Sequence, residues 1–217
     1  MLFGFVEKDS RYLQQTVKGY FHDWYYTCHD PRTQIGYVVM LKNDYPPRTH
    51  KEICESMKTL RSVLAADFAQ IVRDNKGRAL TVCGVPRAKA ECTYDKWQTG
   101  LKRTFRMAVK DNPELRDGLD FIVREKDTQT THRARSGRGG NGELPRPGLI
   151  RDTCRLLPEI KGRDILLVDD IYTPGVGIDE DAVQTLLDCG ARSVVFYAVG
   201  YTANHLATKL TKMAEMD

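Results

Sequence analysis

The chain has 217 residues, 41% hydrophobic and 29% charged, and 33 basic against 29 acidic residues leave a net charge of +4. These values suit a globular protein built as one domain, or as a domain with a small subdomain. They exclude a membrane span, since every apolar run is short, and they argue against a nucleic-acid surface, which a pI near 8.7 does not supply.

The opening MLFGFVEKDS meets charge at Glu7 and lacks the apolar segment of a signal peptide, so an intracellular, cytoplasmic chain is expected. None of the six cysteines (Cys28, Cys54, Cys83, Cys92, Cys154, Cys189) forms a C-x-x-C pair, and reduced, mostly buried thiols are expected. Residues 1–48 hold more than half of the aromatic side chains, including the run YFHDWYY at 20–26. IGYVVML (35–41) reads as a strand and NDYPPR (43–48) as a turn. A long helix is expected over about 50–74, where Ile53, Met57, Leu60, Leu64, Phe68 and Ile71 form one apolar stripe that Asn75 and Gly77 close. ALTVCGV (79–85) reads as a strand broken at Pro86. A second helix is expected over 94–110, with Trp97, Leu101, Phe105 and Val109 on one face. LDFIV (119–123) is a further strand. The stretch 124–148 has no apolar periodicity, and so long a loop in a compact domain is usually functional. DILLV (164–168) and SVVFYAV (193–199) read as strands, 178–189 and 204–215 as helices. Near-continuous apolar strands alternating with helices predict an α/β fold whose parallel sheet is covered on both faces.

Positive charge concentrates in 124–151, where Arg124, Lys126, Arg133, Arg135, Arg138, Arg146 and Arg151 face only Glu125, Asp127 and Glu143. A local basic loop predicts a local anion. The stretch ILLVDDIYTPGVGID (165–179) supplies the rest of the chemistry. Ligands of an open parallel sheet sit at the carboxyl ends of its strands, where Asp169 and Asp170 fall. Successive side chains of a strand point to opposite sides, so both carboxylates can face one ligand only if the strand ends there. Ribose hydroxyls or Mg²⁺ would suit such a pair. The turn Thr173-Pro174-Gly175-Val176-Gly177 then enters a helix, and backbone N–H groups at a helix N-terminus favour phosphate. A diol or metal site beside a phosphate site matches a sugar phosphate.

A hydrophobic strand, two acids, two mostly apolar residues and a Thr/Gly turn resemble the phosphoribosyl-pyrophosphate (PRPP) motif of type I phosphoribosyltransferases, and within them the ComF-type, amidophosphoribosyltransferase-like group. The likeness covers roughly 79–200. It implies a Rossmann-like open, mostly parallel sheet with helices on both faces, a core over 49–217 and a small N-terminal hood over 1–48 that recognises the acceptor. It implies transfer of phosphoribose from PRPP to a nitrogenous base or amine with release of pyrophosphate, Mg²⁺ as cofactor, and a homodimer. Carried over residue by residue, Asp169 and Asp170 would hold the ribose and, directly or through water, Mg²⁺. Thr173, Pro174, Gly175, Val176 and Gly177 would form the 5′-phosphate turn. VPRAK (85–89) resembles the pyrophosphate loop, with Pro86, Arg87, Ala88 and Lys89 at the diphosphate. VREKDTQTTHRAR (123–135) resembles the flexible catalytic loop, with Arg124, Lys126, His132 and Arg133 as diphosphate contacts. Two departures stand out: Pro174 has no N–H to donate, and Gly177 replaces a hydroxyl. Thr173 stands where 6-oxopurine salvage enzymes carry an aspartate base, so hypoxanthine and guanine are not the expected acceptors. A PRPP- or nucleotide-binding regulatory module without turnover is the alternative.

Overall fold

The computed structural model describes residues 1–27, 30–43, 47–76, 78–129 and 142–203. Six strands make the main sheet: β1 (Leu2–Val6), β2 (Val17–Tyr25), β3 (Leu80–Gly84), β4 (Leu115–Asp117), β7 (Asp164–Tyr172) and β8 (Ser193–Thr202). Their order is β1-β2-β8-β7-β3-β4. Only β1 runs antiparallel to its neighbour; every other pairing is parallel. The chain is therefore α/β with a mostly parallel, mixed sheet, as the alternation of apolar strands and helices predicts.

Two cores flank the sheet. Helix α2 (His50–Asp74) starts at a capping box, in which Thr49 and Glu52 satisfy each other's backbone N–H. Its stripe Ile53, Leu60, Leu64, Phe68 and Ile71 packs on Leu80, Val82, Leu166 and Tyr197, together with α3 (Gly100–Lys110). The other face is covered by α5 (Ile178–Asp188), whose Ala182, Val183 and Leu186 meet Ile165, Leu167 and Phe196. The short α4 (Leu149–Thr153) adds Ile150 to that core. Strand β7 is buried on both faces from Asp164 to Val168, which explains its unbroken apolar run.

Several elements differ from the sequence reading. IGYVVML is not a strand: Gly36–Lys42 form helix α1. Ile35, Val38 and Leu41, three apart, are all fully buried against α2, and that packing overrides the β-propensity of the run. The helix expected from 94 begins at Gly100, because the Asp95 carboxylate accepts the N–H groups of Trp97 and Gln98 and holds a turn there. LDFIV does not join the main sheet. Its end forms β5 (Ile122–Arg124), paired antiparallel with β6 (Cys154–Leu156) in a separate ribbon, while Leu115–Asp117 supplies the sheet's edge. The segment 1–48 gives β1 and β2 to the main sheet, where Val17, Tyr20 and Phe21 are buried and β2 pairs with β8. Cys54 and Cys92 are exposed, unlike the buried thiols expected. Gly77, the 44–46 part of the expected turn and the helix expected over 204–215 lie outside the described residues. Among the described residues, no helix is long and apolar enough to cross a membrane.

Leu166 lies fully buried on the central strand. Leu166→Ala is expected to cost about 2–5 kcal/mol, read as a lower urea midpoint at unchanged slope.

Candidate functional site at the carboxyl edge of the sheet

The parallel strands β3 and β7 end side by side. Beyond Gly84 the chain stays joined to β7, for Val85 N–H donates to the Val168 carbonyl at 2.9 Å. A cleft of about 660 Å³ opens at this edge, with Pro86, Arg87, Lys89, Tyr94, Arg124 and Asp169 in its walls. The sequence-derived diphosphate loop and the first aspartate of the motif are thus brought together.

The two aspartates are not aimed at one point. Strand β7 does not end at Val168 but continues to Tyr172, so neighbouring side chains diverge. Asp170 is buried and forms an ion pair with Lys42 of α1 at 2.5 Å. Asp169 turns the other way and hydrogen-bonds the Asp179 carboxyl in the first turn of α5. Each also caps the backbone ahead of it: Asp169 accepts Asp170 N–H at 2.8 Å, and Asp170 accepts Ile171 N–H at 2.7 Å. Desolvation pushes the Asp169 carboxyl up to about 6, against the pull of its hydrogen bond and of Lys42. Asp179 is held higher still, first by burial and then by the charges of Asp169 and Glu180. Burial and mutual repulsion thus favour a state in which this pair of carboxyls keeps a proton.

Each acid of the α5 entry has a separate task. Glu180 accepts the Tyr172 hydroxyl at 2.9 Å. Asp181 accepts Gly148 N–H at 2.5 Å and Ile150 N–H at 2.8 Å, which clamps the start of α4. Their charges suit the positive end of the helix dipole.

The turn 173–177 precedes this helix. Val176 N–H donates to the Thr173 carbonyl at 3.3 Å, and the Thr173 hydroxyl bonds that of Thr202 at 2.7 Å. No acceptor among the described residues meets the N–H groups of Gly175, Gly177 or Ile178. Pro174 contributes shape and no donor. Gly177 has φ +91°, and a Cβ there would lie 2.4 Å from the Tyr12 ring. Both facts require glycine. The Tyr12 phenol that packs there comes from the β1–β2 loop, and its hydroxyl donates to the Pro145 carbonyl at 3.2 Å.

The basic residues divide sharply. Arg124 is 3% exposed. Its Nε donates to the Arg87 carbonyl at 3.1 Å and its Nη1 to the Thr153 hydroxyl. It braces the 86–90 loop from behind. Arg87 donates to the Gln98 carbonyl at 2.7 Å and stacks on Tyr94, its guanidinium carbon 4.1 Å from the ring centre. The Ala88 carbonyl accepts Thr128 N–H at 2.7 Å, and Lys89 and Lys126 are exposed. Arg146 pairs with Glu143 and Asp152, and Arg151 with Asp188. Much of the described part of the basic excess is therefore neutralised on the spot. His132 and Arg133 lie outside the described residues. The expected long loop is fastened at its base, where Thr128 bridges Glu143 and Gln129 N–H donates to the Glu143 carbonyl at 3.0 Å.

Tyr12, Lys42 and Asp179 are the site residues that the sequence reading missed. Asp179 had a signal, the acid run IDED straight after the glycine turn. Lys42 had none once its helix was read as a strand, and the approach of Tyr12 is set by tertiary structure alone. No protein-family model matches the chain, and no curated protein matches it either.

Two outcomes follow from this geometry. A carboxyl raised above its ordinary value holds a proton in the folded chain that the unfolded chain has released, so its stabilising contribution is full below the ordinary value of 3.8 and is lost as pH rises through about 6 and beyond. Asp179→Asn keeps a donor toward Asp169 without the titration, and it is expected to match the parent near pH 3 and exceed its stability at pH 8, read as urea midpoints. Arg124→Ala is expected to cost about 2–4 kcal/mol in the absence of any ligand, with faster amide exchange at Ala90 and Thr128; unchanged ligand-free melting would leave Arg124 a substrate contact only.

Proposed function

We propose that the chain is a PRPP-dependent phosphoribosyltransferase of the type I fold, which moves 5-phosphoribose to a nitrogenous base or amine and releases pyrophosphate. The observation that carries this reading is the run of Asp169, the turn 173–177 and the α5 N-terminus along one edge of a parallel sheet, beside a cleft walled by Arg87 and Lys89. A sugar phosphate needs hydroxyl acceptors next to amide donors, and that edge offers both. In the proposal Asp169 accepts from the ribose hydroxyls, while the N–H groups of Gly175, Gly177 and Ile178 take the 5′-phosphate. A proton kept by the pair Asp169 and Asp179, and the Lys42 partner of Asp170, lower the negative charge that the phosphate meets. Lys89 and Lys126 are exposed near the cleft's loop and belong, with His132 and Arg133, to the diphosphate contacts.

Among the described residues no group of three or more His, Cys, Asp or Glu side chains is arranged to hold a metal. Asp170 is paired with Lys42, and of the two carboxylates that line the cleft Glu91 is paired with Lys102, which leaves Asp169 to meet a ligand. One carboxylate fits a Mg²⁺ that keeps its waters and is carried mainly by substrate phosphates. When bound, Mg²⁺ would neutralise charge on the departing diphosphate. The nitrogen of the acceptor forms the new bond to ribose C1 as the C1–oxygen bond to pyrophosphate breaks, with the electron pair leaving on pyrophosphate. The protein's part is to fix the ribose and to exclude water, whose attack would waste PRPP.

A second reading, binding of PRPP or a nucleotide without turnover, is favoured by the engagement of Arg87 and Arg124 with protein groups. Pyrophosphate release with Mg²⁺, PRPP and a panel of bases and amines separates the two. Titration calorimetry should show Mg-PRPP binding that Asp169→Asn combined with Asp170→Asn weakens at least about tenfold, as loss of the charge-assisted Asp169 contact to the ribose implies. Equal affinity in parent and double variant would refute the site.

A further inference from the structure

Strand β1 ends the main sheet and has one neighbour, β2, among the described residues. Its side chains alternate, with Leu2 and Val6 toward the α5-side core, while Phe3 and Phe5 stand 59% and 47% exposed. The two rings meet edge to face at 5.2 Å, and Phe3 meets Tyr20 of β2 at 5.4 Å. Most of the strongly exposed large apolar side chains described belong to this N-terminal strand region. The devices that keep a sheet edge from pairing are missing, for Leu2–Val6 contains no charge, no proline and no bulge.

The strand is also symmetric in type about Gly4. Outward from that residue come Phe3 and Phe5, then Leu2 and Val6. Gly4 has its own reason within the chain, since a Cβ there would lie 3.1 Å from the Phe21 ring. The exposed phenylalanines on either side have none.

We infer that β1 is a dimer interface, pairing antiparallel with β1 of a second copy about a two-fold axis at Gly4, so that one sheet runs through both molecules. In this register Phe3 faces Phe5 of the second copy twice, and Leu2 faces Val6 on the other side. Aromatic and apolar cross-strand pairs of this kind stabilise a sheet. A slip of one residue would set core-facing side chains against outward-facing ones. A slip of two in one direction would set Phe3 against Glu7, and in the other would put Phe5 against Met1 and leave only Leu2–Gly4 paired strand to strand. A second copy fits this edge better than a charged peptide does, because Leu2–Val6 gives a charged partner nothing to read. An isologous contact sets each charge near its own counterpart, and here the nearest flanking base, Lys18 opposite Phe5, would sit three strand spacings from its copy, about 14 Å. That is beyond the screening length at physiological salt, about 8 Å. A five-residue strand contact is smaller than the roughly 800 Å² per partner of a standard interface, so the dimer is reversible, with a dissociation constant on the order of micromolar.

Sedimentation velocity of the full chain, 24.7 kDa as a monomer, is expected to show a shift to twice that mass between about 1 and 200 µM. Phe3→Glu alone and Phe5→Lys alone should each raise the dissociation constant at least about tenfold with unchanged circular dichroism and melting. An equimolar mixture of the two variants should recover the dimer, because the introduced carboxylate of one meets the introduced ammonium of the other only in this register. A parent chain that is monomeric throughout, single variants that dimerise like the parent, or a mixture that stays monomeric would overturn the inference.

Discussion

The carboxyls of Asp169 and Asp179 share a hydrogen bond that full ionisation of both would break. That bond ties the end of the central strand to the first turn of α5. Like charges so close are tolerated at little cost only if one stays neutral. Lys42 answers the other aspartate from the opposite face. Two adjacent acids thus do different things: one joins the sheet to the helix behind it, the other joins it to the helix in front. The turn between them and α5 leaves the N–H groups of Gly175 and Gly177 without an acceptor among the described residues, which is what an anion site needs.

Bracing of the 86–90 loop has the same character. A guanidinium as buried as Arg124 is costly unless its donors are used, and here they hold the Arg87 carbonyl and Thr153. The Asp127 carboxylate accepts Ala90 N–H at 2.8 Å, and Thr128 takes the carbonyl of Ala88. Loop, ribbon and α4 are therefore fixed to one another by polar groups from 124–128, a stretch whose composition alone suggested an open basic arm. Charge read from sequence counts residues, and structure decides which of them keep their charge turned outward.

Where one local pattern dominates, the sequence was readable. The α2 stripe, the apolar β7 and β8 and the glycine turn before α5 each follow from spacing or from a backbone requirement that few residues satisfy. Where tertiary contact decides, it was not. Ile35, Val38 and Leu41 are β-branched or bulky enough to suggest a strand, yet their common spacing of three reports a helix once α2 lies beneath them. LDFIV is apolar enough for the sheet, but the sheet's edge is taken by the plainer Leu115–Asp117. In the site, Asp169, Asp170, Arg87 and the turn were legible because they are close in sequence or at strand ends. The divergence of the two aspartates was not, since it depends on β7 continuing to Tyr172.

The bridge between Thr128 and Glu143 brings the two roots of the 130–141 stretch together on the protein surface. Closing a loop costs chain entropy that grows only slowly with its length. Gln129 and Glu143 close this one through a main-chain hydrogen bond of 3.0 Å. A change at Glu143, which also pairs with Arg146, would therefore reach the cleft wall through Thr128 and the Ala88 carbonyl.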